Sequence, residues 1–207
     1  MTSTDLHGDS DALAAELLAI IGIPIFDNSR RIIISDIACS LALEHWHSVR
    51  TLLGAGLLPS AAVVHRAQFE ALTRSIWLLY AASDEQLAKF DATLTLDSEH
   101  AAKNVSQTNE MMEHLSKKAP PQAYDALARF KDNSWRALNS YVHAGIHPIR
   151  RHGDGYPANL LNDVLRNTNG LAVVTCMQAV VLSGQQPLQR KVLDSAARYP
   201  ACMPPSL

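Results

Sequence analysis

Between Ser134 and His152 the chain reads Ser-Trp-Arg-Ala-Leu-Asn-Ser-Tyr-Val-His-Ala-Gly-Ile-His-Pro-Ile-Arg-Arg-His. Arg136 and His143 stand nearly two helical turns apart at ~3.6 residues per turn, which puts both on one face with Cα atoms ~10 Å apart along the axis. Asn139, Ser140 and His147 extend the stripe, although Gly145 and Pro148 argue against regular helix at His147. Trp135, Leu138 and Val142 form the opposite stripe, expected to face the core. Arginine is a fixed cation suited to phosphate or carboxylate. Histidine takes or gives a proton near neutrality. The pair has the chemistry to bind an anion and move a proton beside it. Arg150, Arg151 and His152 follow in a loop expected from Gly145 to Pro157, from which they could close over the same region.

Two other readings use the same residues. Histidine and arginine near a helix C-terminus compensate its dipole. His143 and His147 also have the i,i+4 spacing of a metal pair, but Gly145 and Pro148 disrupt it and no carboxylate lies close by in sequence. The expectation is no metal and no cofactor. In His45-Trp46-His47 the two imidazoles are i,i+2 and point apart on a helix, which fits surface and packing roles.

A second charged cluster, Arg66, Glu70 and Arg74, lies at i, i+4 and i+8 in the most apolar segment of the chain. Glu70 is spaced to bridge both guanidinium groups. Charges on a mostly buried helix need such pairing, so the plain reading is a ladder that fixes helix register. The sharper one lets Arg66 or Glu70 reach the helix of Arg136 and support the site there.

The elements that must position these groups are helical. No six-residue window alternates as a strand does. Helices are expected over Asp11–Ile21, Arg30–Leu53, Ser60–Ala82, from Ser83 to about Leu115, over Gln122–Ala144, Ala158–Ser183, and briefly over Leu188–Ala197. Gly22 with Pro24, Gly54-Ala-Gly56 with Pro59, and Ala119-Pro-Pro121 punctuate them. In the Arg30–Leu53 helix the apolar set is Ile33, Ile37, Leu41, Leu43 and Trp46. Ser60–Ala82 is apolar nearly all round and reads as the central helix. The fold class is all-α: a single bundle of about five main helices with short loops. Residues 1–29 form a polar segment and short helix, 30–198 the bundle, and 199–207 a Pro-rich tail expected to be flexible.

Composition agrees. The 207 residues are 47% hydrophobic and 18% charged, enough apolar side chains for a real core. The net charge of −2 points to no global attraction for nucleic acid or an anionic membrane. Charge is uneven, however. Residues 84–116 hold seven carboxylates against Lys89 and Lys103, whereas 129–152 hold five cations against Asp132 alone. The second window suggests an anionic ligand or an acidic partner surface. Cys39, Cys176 and Cys202 are far apart and form no framework, which fits a reducing, cytoplasmic compartment. The N-terminus lacks a basic region preceding an apolar one, and the longest apolar run, Gly170–Gly184, is too short to span a membrane.

The run Ser60-Ala-Ala-Val-Val-His-Arg-Ala-Gln-Phe-Glu-Ala-Leu-Thr-Arg-Ser-Ile-Trp77, with Leu138-Asn-Ser-Tyr-Val-His-Ala-Gly145 and Arg150-Arg151, resembles an uncharacterised family of bacterial all-α proteins across about residues 34–182. More distantly, the architecture and Arg136-x6-His143 are similar to HEPN domains. Those are up-and-down helical bundles, often dimeric, frequent in toxin–antitoxin and phage-defence systems. Many are metal-independent ribonucleases with an Arg-x4–6-His motif. The resemblance implies that Arg136 binds the scissile phosphate and that His143 is general acid or base on the ribose 2′-hydroxyl and the leaving oxygen. It also implies a homodimer that brings two such pairs together, RNA as substrate, and an antitoxin as partner. Ala137 departs from the pattern, because HEPN nucleases usually place a polar residue directly after the arginine. The alternative expectation is a non-catalytic helical module that binds a partner protein or a small anionic ligand.

Overall fold

The computed structural model describes residues 5–96, 100 and 105–205. Among these the chain is all-helical and contains no strand. The helices are α1 (Leu6–Ile21), α2 (Arg30–Gly54), α3 (Leu58–Tyr80), α4 (Asp84–Asp91), α5 (Thr108–Lys118), α6 (Pro121–Val142), α7 (Ile146–Asp154), α8 (Ala158–Leu182) and α9 (Leu188–Arg198), followed by a 3-10 turn at Pro200–Cys202.

The α2–α3 hairpin organises the fold. Gly56 (φ 73°) makes the reversal, and Pro59 occupies the first turn of α3, where its missing N–H costs nothing. The two backbones approach closely. Ser35 Oγ donates to the Ser75 carbonyl (2.7 Å) and Ser75 Oγ donates to the Ser35 carbonyl (2.8 Å). Small side chains dominate this seam: Ser35, Ala38, Cys39 and Ala42 are buried on α2 there, beside Ile34. As expected, α3 is central: Phe69, Leu72, Ile76 and Trp77 are almost wholly buried. Fully burying a side chain of that size contributes about 2–3 kcal/mol. Phe69 stacks on Phe130 of α6 at 4.8 Å and meets Trp135 edge-on at 5.8 Å, which fixes α6 against α3.

A second core lies between α1, α8 and α9, where Leu13, Leu17, Cys176, Val180 and Val192 are buried together with Trp46. Residues 199–205, expected as a flexible tail, pack against it. The Cys202 carbonyl accepts from Asn169 Nδ2 (3.0 Å). Pro204 rests on Gly170, where a Cβ would come within 2.6 Å of the proline ring, so the glycine inside α8 serves a close approach.

Several expectations change. Nine helices replace five among the described residues. The polar helix expected from Ser83 to about Leu115 is interrupted: α4, opened by a Ser83–Gln86 capping box, ends at Asp91, and α5 begins at Thr108. Residues 97–99 and 101–104 of that stretch lie outside the described set. Helix α1 starts five residues earlier than expected because Asp5 caps it, accepting from the Gly8 N–H (3.0 Å). The Gly145–Pro157 loop contains α7. In α2 the expected apolar set is turned: Trp46 is buried, but Ile33, Ile37 and Leu41 are exposed. On α6, Leu138 is buried and Trp135 half-buried, whereas Val142 is exposed. No described helix is long and apolar enough to cross a membrane.

Candidate functional site

Helix α6 ends at His143, and the local chemistry of that end builds the site. The N–H of Gly145 donates to the Ser140 carbonyl (2.7 Å) and that of Ala144 to the Tyr141 carbonyl (3.4 Å), a Schellman arrangement. Ala144 takes the left-handed conformation (φ 48°) that glycine usually supplies. Gly145 is hemmed in instead, since a Cβ there would lie 2.6 Å from Ser140 Oγ. That hydroxyl accepts from the His147 N–H (3.1 Å) and so caps α7 from the preceding helix. Pro148 sits in the first turn of α7, where backbone donors have no intrahelical partner. Ala144→Gly should therefore stabilise the protein by about 1 kcal/mol, and Gly145→Ala should destabilise it by about as much through loss of the cap. Urea unfolding of the two variants checks both signs.

The sequence-predicted residues divide into free and engaged groups. Arg136 and His143 are exposed, and neither side chain has a hydrogen-bond or ion-pair partner among the described residues. Arg151 and the side chain of His147 are likewise exposed. Burial pushes the Tyr141 phenol upward in pKa, with Tyr156 adding to the rise and the Arg151 cation opposing it. Arg150 is tied to Asp154 within α7 (3.1 Å). Asn139 and Ser140 are half-buried and serve the scaffold: Ser140 caps α7, and Asn139 Oδ1 accepts a short hydrogen bond from Arg66.

The charge ladder is half as expected. Arg66 pairs with Glu70 (3.0 Å), stacks over the Trp135 ring (4.6 Å to its centroid) and reaches Asn139, so it does connect α3 to the site helix. It supports α6 one turn before His143. Glu70 does not bridge to Arg74. It accepts from Thr108 Oγ1 of α5 instead (3.4 Å). Arg74 lies over Phe90 (5.3 Å) and donates to the Ser106 carbonyl (3.4 Å), with its other terminal nitrogen buried and unpartnered. Burial lowers the Arg74 pKa, and Glu70 partly offsets this.

A groove between α6 and α8, floored by α3, was not read from the sequence. Its widest chamber, about 690 Å³, is lined by Ile76, Tyr80, Val174 and Met177 among others. Past Ala126 and Val174 it continues into a chamber of about 280 Å³ beside Phe130 and Pro204. Asn133, Ser134 and Asn167 then lead to one of about 180 Å³ beside His65 and Tyr141. Neither Arg136 nor His143 lines any of these chambers. The His65 ring is almost wholly buried, its Nδ1 faces Gln68 Oε1 (3.1 Å), and burial lowers its pKa to about 4. Because Gln68 Oε1 also accepts from Thr168 Oγ1, the shared proton on that edge belongs to His65 Nδ1 and leaves Nε2 as an unpartnered acceptor. The available signal was a histidine three residues before a glutamine on the most apolar helix of the chain.

No set of three His, Cys, Asp or Glu side chains among the described residues is grouped to hold a metal ion. Chemically, the exposed Arg136, His143 and Arg151 can bind an anion from solvent, on an open surface rather than in a cleft. Comparison with curated proteins and with solved structures gives no match. A family model does match, over residues 39–205, so that both the Arg66–Glu70 pair and the α6–α7 corner fall within it: the chain belongs to a family of unknown function, DUF6988.

Proposed function

We propose that this protein is an RNA-binding helical module, HEPN-like in its pairing of arginine and histidine on one helix, and that the exposed face of α6 and α7 holds the phosphate backbone. One observation carries this reading. Eight of the twelve arginines form ion pairs with carboxylates, and Arg74 is half-buried against a ring and a carbonyl. The three that remain exposed and unpaired among the described residues, Arg129, Arg136 and Arg151, all lie on α6 and α7. Arg129, Arg136 and His143 follow one another at seven-residue spacing along the same face of α6. Unpaired arginines keep their donors for phosphate oxygens. Anisotropy of a labelled single-stranded RNA should show binding at low salt that weakens as salt rises. Arg136→Ala with Arg151→Ala should reduce affinity about tenfold or more, since each lost phosphate contact removes one released counterion. RNA that stays unbound at low salt rules the reading out.

A second reading, metal-independent ribonuclease activity of the kind found in toxin–antitoxin and phage-defence systems, is favoured by the freedom of Arg136 and His143. Arg136 would hold the scissile phosphate, and His143 would exchange a proton with the 2′-hydroxyl or the leaving oxygen. RNA incubated with the protein and a chelator should then be cut, and His143→Ala should end the cutting while leaving binding largely intact. Intact RNA with the wild-type protein leaves the binding module alone.

A further inference from the structure

The solvent-facing side of α2 carries an apolar stripe. Ile33, Ile37 and Leu41 recur every four residues and are 37%, 62% and 44% exposed. They occupy the side of α2 opposite Ala38, Cys39, Ala42 and Trp46, which make the contacts with the core. A helix face directed at water ordinarily carries polar and charged residues, and a contiguous exposed apolar row marks a binding surface. We infer that this stripe is the contact surface for a second copy of the same chain, packed with the two α2 helices antiparallel about a two-fold axis at Ile37.

The choice of occupant rests on the symmetry of the stripe. Seven residues before Ile37, on the same face, stands Arg30; seven after it stands Glu44. In an antiparallel pair Ile37 meets Ile37 of the second copy, Ile33 meets Leu41, and Arg30 meets Glu44 at both ends. A two-fold interface demands this reciprocity of each residue pair, and a partner of different sequence would not require it. Glu44 is exposed and has no ion-pair partner among the described residues. Arg30 Nε holds Asp91 at 2.6 Å, which leaves the terminal nitrogens of its guanidinium for a second carboxylate. Antiparallel packing also sets the two helix dipoles against each other favourably.

The two surfaces are distinct. Ser75 of α3 faces α2, whereas Arg66 and Phe69 face α6 from the far side of that helix. The α2 pairing therefore keeps the two cationic faces apart and leaves each free. This inference is independent of RNA binding and can fail without it.

The test is sedimentation velocity on the full chain at micromolar concentration. The wild type should run at twice the chain mass. Ile37→Glu should weaken association by about a hundredfold or more, because two carboxylates are forced together on the axis, and should leave helical content and RNA binding unchanged. Register is tested by oxidation. Ile37→Cys should cross-link to itself, and a mixture of Ile33→Cys and Leu41→Cys chains should cross-link to each other. The native cysteines do not compete, since Cys39, Cys176 and Cys202 are all buried. A wild-type monomer, or a dimer indifferent to Ile37→Glu, overturns the surface. A dimer that Ile37→Glu dissociates but Ile37→Cys does not cross-link overturns the antiparallel arrangement.

Discussion

Asn169→Ala should cost about 4 kcal/mol of folding stability, a large share of the ~5–15 kcal/mol that holds a typical domain together. Asn169 is fully buried in α8 and joins three parts of the chain. Its Oδ1 accepts from Trp46 Nε1 of α2 (2.9 Å) and from Ser10 Oγ of α1 (3.0 Å). Its Nδ2 donates to the carbonyl of Cys202 in the C-terminal segment (3.0 Å). Alanine leaves an indole N–H and a carbonyl without partners and takes the acceptor from the Ser10 hydroxyl, which still accepts from Arg50 Nε (3.1 Å); at ~1–3 kcal/mol for each buried group the loss is large, and a cavity opens beside them. Some relaxation lowers the sum. Ser10→Ala gives the contrast, because it leaves Trp46 on the amide oxygen and takes from Arg50 Nε one acceptor while its pairing with Asp11 remains; about 1–2 kcal/mol is expected. Urea unfolding followed by tryptophan fluorescence measures both. Equal small losses for the two variants would show that the amide is not the junction described.

How far the fold could be read from the sequence depended on where punctuation was local. The ends of α2, α3, α8 and α9 fall within about two residues of expectation, because glycine and proline act on the backbone where they stand. The rotation of α2 was not legible. Its apolar residues run nearly all round, so periodicity does not select a face. What selects it is the packing against α3, where Ile34, Ala38, Cys39 and Ala42 are buried around the Ser35–Ser75 exchange and Ile33, Ile37 and Leu41 are left outside. The start of α7 was hidden for a different reason. Gly145 and Pro148 read as breakers, yet one is an N-cap and the other lies in the first turn. The hydroxyl that completes the cap comes from Ser140 of the preceding helix.

The candidate site shows the same division. Seven-residue spacing gave Arg136 and His143 an expected common face, and both are exposed. It could not show that Asn139 and Ser140 between them are already in use. Both partners, Arg66 and the α7 backbone, arrive through tertiary structure or an unforeseen turn. Local spacing likewise found the Arg66–Glu70 pair but not the fate of Arg74, whose partners Ser106 and Phe90 come from other segments. The α6–α8 groove arises from how far two helices stand apart over α3, a quantity no single helix encodes.

His65 should make the protein lose stability as pH falls from about 6.5 to about 4, by roughly 3 kcal/mol in all. Burial is the cause, and the hydrogen bond to Gln68 offsets it only in part. The folded state keeps the ring neutral down to about pH 4, whereas in the unfolded chain it takes a proton near 6.5. Between those values the unfolded state binds the extra proton, so acid favours unfolding. Above about 6.5 the contribution is complete, and below about 4 nothing further is lost. Lowered carboxylates such as Glu16, Asp27 and Glu113 add acid sensitivity of the same sign, and the raised Asp36 opposes it. The informative quantity is therefore a difference. His65→Leu removes the ring proton and keeps the site apolar against Phe130, which meets the ring edge-on at 5.0 Å. With unfolding free energies measured at half-unit steps from pH 7.5 to 4, the stability of wild type relative to His65→Leu should fall toward acid by about 3 kcal/mol. Parallel curves would mean that His65 takes its proton in the folded protein as readily as in the unfolded chain. The Nε2 edge would then hold a proton facing an acceptor or water in the groove rather than a lone pair.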